Sequence, residues 1–178
     1  MQPLDAFAAV REARQGSREA FIGLIRDNEA MMYAIARNLL KSETDTADAI
    51  QEAILNAYNG IGSLREPAYF RTWLVRILIN ACRQINRHNS KYVPMRDGVE
   101  LADPHVNPSA QLEMEDLLSG LDMEHKEVVV LYYMDDISVR DIAQMLDLTE
   151  SNVKSRLYRA RMKLAALMKE TEAWEGLR

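Results

Sequence analysis

The chain is 178 residues long, room for one ordinary domain or two small ones. Hydrophobic residues are 48% of it, with 7 glycines and 5 prolines; this disfavours global disorder and, with Ala, Leu, Met, Glu and Arg prominent, favours an all-α fold. The net charge of −5 argues weakly against nucleic-acid binding, but the charges are segregated: residues 112–148 carry 2 basic and 10 acidic side chains, and residues 153–163 carry 5 basic and no acidic ones. A phosphate feels the nearby cluster more than the chain total, because salt screens beyond about 10 Å.

The N-terminal run MQPLDAFAAVREARQ mixes acids with arginines and has no long apolar stretch. It reads as neither a signal peptide nor a membrane span, so a cytoplasmic location without membrane insertion is expected. Residues 4–14 form a short predicted helix, closed by Gly16-Ser17. A second covers 18–40, with Phe21, Leu24, Ile25, Met32, Ile35, Ala36 and Leu39 at helical spacing. Thr44 or Asp45 is the expected cap of a third, which ends near Asn59 before Gly60 and Gly62. Its stripe Ala47, Ile50, Ile54 and Tyr58 reads as core, with Asp45, Asp48, Glu52 and Asn59 on the other side. Pro67 suits the first turn of a fourth helix running to about His88, apolar at Phe70, Trp73, Leu74, Ile77, Leu78, Ala81 and Ile85. Trp73 is assigned to the core. Cys82, the single cysteine, reads as a buried structural thiol and excludes an internal disulfide framework and a Cys-rich zinc site.

The helical period stops near residue 89. Pro94, Gly98, Pro104 and Pro108 then make 91–111 a flexible linker between a module at 1–90 and a second at 112–178. In the second module Leu112, Leu117, Leu118 and Leu121 suggest one helix and Val128–Met134 belongs to the next. Ser138 is a predicted N-cap, with Asp141 three residues on resembling a capping box. The helix it starts buries Ile142, Ala143 and Leu146. Asp147-Leu148 makes a turn, and Thr149 caps the next helix. Small Ala143 lets two helices approach, and Leu148 plugs the corner: the pattern of a helix-turn-helix.

At 100° per residue, Val153, Leu157, Ala160 and Leu164 share the core face of that last helix. Opposite lie Ser151, Ser155, Tyr158, Arg159 and Met162. Lys154 and Arg161 sit on one flank, Arg156 and Lys163 on the other. A helix in a major groove has base edges beneath it and a phosphate strand on either side, so polar readers flanked by cations fit duplex DNA. A solvated basic face is the bland alternative, but apart from Lys154, which has Glu150 at i−4, these cations lack an acid at i±4 to relieve their repulsion.

The segment NVKSRLYRARMKL resembles the recognition helix of the extracytoplasmic-function (ECF) group of the bacterial sigma-70 family. DAIQEAILNAY resembles that group's polymerase-binding helix, and FRTWLVRILINACRQINRH its −10-element helix. The three occur in the family's order and cover nearly the whole chain. The resemblance implies an RNA polymerase sigma factor of two small helical domains. The first would bind the polymerase clamp and help melt the −10 element; the second would read the −35 element. It implies core RNA polymerase and promoter DNA as partners, and for many members an anti-sigma factor. Asp48, Gln51 and Glu52 become candidate clamp contacts by this resemblance alone. Asn80 falls at the −10 reader, Arg76, Arg83 and Arg87 could hold single-stranded backbone, and the loop with Arg65 and Tyr69 matches one that pockets a flipped base. Two positions depart from the family: Asp147 stands where many members have Gly, and Asn152 where Thr is common. Asp tolerates a left-handed backbone, so the turn survives; the −35 preference is left open.

His88, His105 and His125 have no ligand spacing and read as exposed or incidental. There is no Gly-rich phosphate loop, HExxH or serine-nucleophile motif, and neither a cofactor, a metal nor catalysis is expected. A stand-alone regulator would make 1–90 a sensor or dimerisation domain, and a helical adaptor would leave the cations of 154–163 unexplained. Binding to core polymerase separates these readings from a sigma factor.

Overall fold

A computed structural model describes residues 3–40, 42–92, 117–134 and 136–175; the expected linker beyond residue 92 and Leu112 lie outside them. The described residues are helical, in chain order α1 (Pro3–Arg14), α2 (Arg18–Leu39), α3 (Glu43–Gly60), α4 (Phe70–Tyr92), α5 (Met123–Val129), α6 (Val139–Leu146) and α7 (Glu150–Glu175). Gly16, at φ +99°, makes the left-handed corner after α1, and Ser17 caps α2 by accepting from the Ala20 amide. The cap of α3 is Ser42, upstream of the expected Thr44 or Asp45. Its hydroxyl accepts from the Asp45 amide at 3.3 Å, which places the acids Glu43 and Asp45 in the first turn, where the helix dipole favours them. Pro67 opens a 3-10 turn, Pro67–Tyr69, which leads into α4. That helix runs to Tyr92, two residues into the stretch expected to be linker.

The first module packs α2, α3 and α4 on one another, with α1 across α2. The closest face of α3 is built from alanines: Ala49, Ala53 and Ala57 are fully buried, in line with Thr46. Side chains this small let the helix axes approach. That register corrects the expected one. Ala47 and Tyr58 are exposed and Ile50 and Ile54 only half-buried, because the alanine row, about 40–100° around the helix, takes the core position. Phe21, Met32, Ile35, Leu74, Val75, Leu78 and Ile79 fill the space between helices, and Trp73 is half-buried against them. Cys82 is buried as expected. Burial, with the Glu127 carboxylate nearby, pushes its thiol up to about 12, so it stays protonated at neutral pH.

In the second module α5 continues into a π-helical turn, Val130–Met134. Asp136, at φ +51°, reverses the chain so that the Ile137 amide donates to the Leu131 carbonyl at 3.0 Å. Ser138 caps α6, accepting from the Asp141 amide at 3.1 Å and donating to the Asp141 carboxylate at 2.7 Å. Ser138→Ala should therefore cost about 1 kcal/mol and lower Tm by roughly 2–4 °C; an unchanged melting curve contradicts the cap. The turn is as the sequence demands. Asp147 is left-handed at φ 59°, ψ 47°, and the Leu148 amide donates to the Ala143 carbonyl at 2.9 Å, the long bond of a Schellman turn. Thr149 Oγ1 then accepts from the Asn152 amide at 3.2 Å to start α7. Gly120 lets the turn after residues 117–119 lie on α7, since an added Cβ would sit 2.4 Å from Leu167 Cδ1.

The modules touch. Helix α4 packs against α6, and α2 against α5 and the π-helical turn. Their buried apolar residues join in one cluster.

Candidate nucleic-acid interface

Helix α7 buries Val153, Leu157 and Ala160 and half-buries Leu164, the stripe expected from its periodicity. Ser151, Asn152, Ser155, Arg159 and Met162 are exposed, as is Tyr158 at 64%. The two cationic flanks differ in a way the sequence pattern does not reveal. On one, Lys154 and Arg161 are exposed, and Arg161 Nε donates to the Tyr133 hydroxyl at 2.6 Å with its guanidinium over the Tyr133 ring. On the other, Arg156 reaches Glu124 at 3.0 Å and Lys163 reaches Asp122 at 2.6 Å. These acids lie at the start of α5, distant in sequence, so an i±4 search along α7 misses them.

Asp122 also caps α5, accepting from the His125 amide at 3.2 Å and facing His125 Nδ1 at 2.6 Å. Burial works to raise this carboxyl, but the hydrogen bonds from Lys163 and His125 outweigh it and hold it well below the usual carboxylate range. His125, expected to be exposed or incidental, is thus half-buried in the cap network. His88 is exposed, and His105 lies outside the described residues.

On α4, Arg76, Asn80, Arg83 and Arg87 follow one another at spacings of four, three and four, which aligns them on a single face. Arg76, Asn80 and Arg87 are exposed. The loop before α4 holds Arg65 and Tyr69, both exposed, Tyr69 at 51%; its ring is open for stacking and is not packed away. Arg83 is engaged: Nε and Nη2 donate to the two oxygens of Glu127, each at 2.6 Å, a bidentate pair across the modules. The Glu127 residue is fully buried. This hydrogen bond raises the Arg83 pKa against the opposing effect of burial, so the guanidinium stays charged.

Asp48, Gln51 and Glu52 are exposed on α3. Beside them runs a feature the sequence reading missed by assigning Ala47, Ile50 and Ile54 to the core. Tyr33 and Glu43 join Ala47, Ile50, Gln51, Ile54 and Leu55 around an open groove of about 370 Å³, almost wholly apolar. Leu55 is 53% exposed. Two apolar stripes on one helix, alanines inward and branched residues outward, were the available signal.

Residues 24–92 match the family described as Sigma-70 region 2, and residues 111–164 that described as Sigma-70, region 4. The chain is 35% identical to the ECF RNA polymerase sigma factor SigM of Mycobacterium tuberculosis over 157 residues, 86% of this chain and 79% of that protein. It is 27% identical over 171 residues to the ECF RNA polymerase sigma-E factor of Haemophilus influenzae, 86% of this chain and 90% of that one. Among solved structures, CnrH in complex with the cytosolic domain of CnrY is similar at TM-score 0.73 and 27% identity, over 93% of this chain and 97% of that chain. The chain belongs to the sigma-70 family of RNA polymerase sigma factors, in its ECF group. It is a sigma factor, the subunit that binds core polymerase and directs promoter recognition and transcription initiation. Among the described residues no helix is long and apolar enough to cross a membrane.

Proposed function

We propose how the work of a sigma factor is divided over these surfaces. The outer face of α7 enters the −35 major groove, with Ser151, Ser155, Tyr158 and Arg159 toward the bases and Lys154 and Arg161 toward one phosphate strand. The α4 face, with Arg65 and Tyr69 before it, holds the −10 strand: Asn80 reads a base edge, Arg76, Arg83 and Arg87 hold backbone, and Tyr69 offers a stacking surface. The α3 groove, rimmed by Gln51 and flanked by Asp48 and Glu52, binds the polymerase clamp. Residues 1–90 act as the clamp and −10 module, 91–111 as the connection and 112–178 as the −35 module. The protein works in the cytoplasm and carries out no chemistry of its own. CnrH, a similar protein, was solved with the cytosolic domain of CnrY; this supports a further protein partner here, which the family resemblance implies to be an anti-sigma factor.

The observation that carries this reading is the row Arg76, Asn80, Arg83 and Arg87, one amide among three cations on a single helix face. Its test is a comparison of promoter opening by wild-type and Asn80→Ala holoenzymes.

The unequal flanks of α7 give a second test. If only Lys154 and Arg161 neutralise phosphates, full-length protein on a −35 duplex should show log K falling with log salt at a slope of about −2; if Arg156 and Lys163 leave their acids to join, the slope approaches about −3.6. The ion-paired geometry predicts the shallower value. Arg159→Ala should lower discrimination between matched and mismatched duplexes by about 1–3 kcal/mol. Equal loss on both duplexes counts against a base contact.

A further inference from the structure

The cations on the two flanks of α7 differ in what holds them. Arg156 and Lys163 are tied to the carboxylates of Glu124 and Asp122, which offset their charge. Arg161 is tied to a neutral group. Its Nε donates to the Tyr133 hydroxyl at 2.6 Å, and its guanidinium carbon lies 5.7 Å from the centroid of that ring. A phenol fixes an arginine in place without neutralising it.

Tyr133 is itself held. It lies in the π-helical turn Val130–Met134, an irregularity found often at functional sites. Val130 and Leu131 anchor that turn in the core, while Tyr133 is 54% exposed. The Tyr132 ring meets the Tyr133 ring edge-on, with centroids 4.9 Å apart and planes at 84°. A phenolic oxygen that accepts one hydrogen bond still has a proton to donate. Among the described residues, neither that proton nor the terminal nitrogens of Arg161 have a hydrogen-bond partner. A charged fork and a neutral O–H therefore open to solvent side by side, a donor set that fits one phosphate group. Ordering a long side chain costs rotamer entropy on binding, and here the order precedes any contact with DNA.

We propose that Tyr133 and Arg161 act as one phosphate-binding pair on the −35 backbone: Arg161 supplies the charge, and Tyr133 aims it and donates a second hydrogen bond to the same phosphate. The inference rests on reading the flank with Lys154 and Arg161 as the one that faces a phosphate strand. It brings a residue from before the helix-turn-helix into the duplex interface, and it makes this strand the one that α7 grips in a preset geometry.

The test is binding of the full-length protein to a −35 duplex. Tyr133→Phe keeps the ring beside Arg161 and removes only the hydroxyl. It should weaken binding about five- to tenfold at fixed salt and leave the salt slope unchanged, because no charge is lost. Arg161→Ala should make the slope shallower by about 0.9. A second arm replaces one backbone phosphate at a time with an uncharged methylphosphonate. At one position the difference between wild type and Tyr133→Phe should shrink below about twofold, and at the others it should persist. Equal affinity of wild type and a folded Tyr133→Phe, whatever its Tm, overturns the pair, since the hydroxyl would then only tie the turn to α7. A loss that no single methylphosphonate removes overturns it as well. Should Tyr133→Phe fail to fold, Arg161→Lys takes its place: it keeps the charge and loses the planar fork, and wild-type affinity overturns the pair. An unchanged slope in Arg161→Ala overturns the reading of this flank and the pair with it, whereas a shallower slope beside an unaffected Tyr133→Phe overturns the pair alone.

Discussion

Ile54→Asp should weaken binding to core polymerase by about two orders of magnitude or more while leaving the protein folded. Ile54 is half-buried at the centre of the α3 groove, between Ile50 and Leu55, with Gln51 at the rim. The structural core lies on another face of the same helix, at Ala49, Ala53 and Ala57, so a carboxylate at 54 can turn to water in the free protein. In the complex it would be trapped in an apolar contact. Losses of about 2 kcal/mol or more are usual when a central interface anchor is removed, and an unpaired buried charge adds to that. Asp48→Arg and Glu52→Arg, on the groove's outer side, should also reduce core binding, and none of the three should alter duplex binding by α7. The measurement is titration of labelled protein with core polymerase, with a thermal melt as control. Near-wild-type affinity in a folded Ile54→Asp would remove the groove from the polymerase interface.

The second large effect is expected at promoter opening. Asn80→Ala should leave core binding and −35 contact intact yet impair melting of the −10 element. Asn80 is exposed on α4, on the row with Arg76, Arg83 and Arg87 and away from buried Leu74, Val75 and Leu78. Its amide can donate to and accept from a base edge at once, and alanine can do neither. Loss of one such contact is worth about 1–3 kcal/mol, roughly 5- to 150-fold in the opening equilibrium. Were Asn80 only a solvated helix residue, alanine would be neutral or slightly stabilising. Permanganate footprinting of the −10 region, at a promoter where the holoenzyme is limiting, separates the outcomes: wild-type melting by Asn80→Ala would remove it from the site.

Local chemistry was legible in the sequence wherever the signal is short-range. The Ser138 cap, the Asp147 left-handed turn, the Thr149 cap and the Val153–Leu157–Ala160 stripe depend on residues within a few positions of one another, and each is present. The start of α3 was missed because Ser42, Thr44 and Asp45 are all good caps; Ser42 wins, and the helix gains Glu43 in its first turn. The core face of α3 was misread for a different reason. Hydrophobicity ranks Ile above Ala, but packing distance favours the small residue, so Ala49, Ala53 and Ala57 face inward and leave Ile54 and Leu55 to the groove. At the site, the exposure of Tyr69, Asn80 and Arg159 follows from helix geometry. The partners of Arg83, Arg156 and Lys163 do not, because Glu127, Glu124 and Asp122 reach them only once the helices are assembled. No periodicity within a helix encodes such a contact.

Run-off transcription is the most direct test that this chain directs initiation. Purified core polymerase would be supplied with genomic promoter fragments, with and without the full-length protein. The account predicts discrete transcripts that appear only when the protein is present, start at fixed sites, and fall sharply with Asn80→Ala or Ile54→Asp. A protein that binds the −35 duplex yet yields no transcript above core polymerase alone, on any fragment, would contradict it and favour a stand-alone DNA-binding regulator.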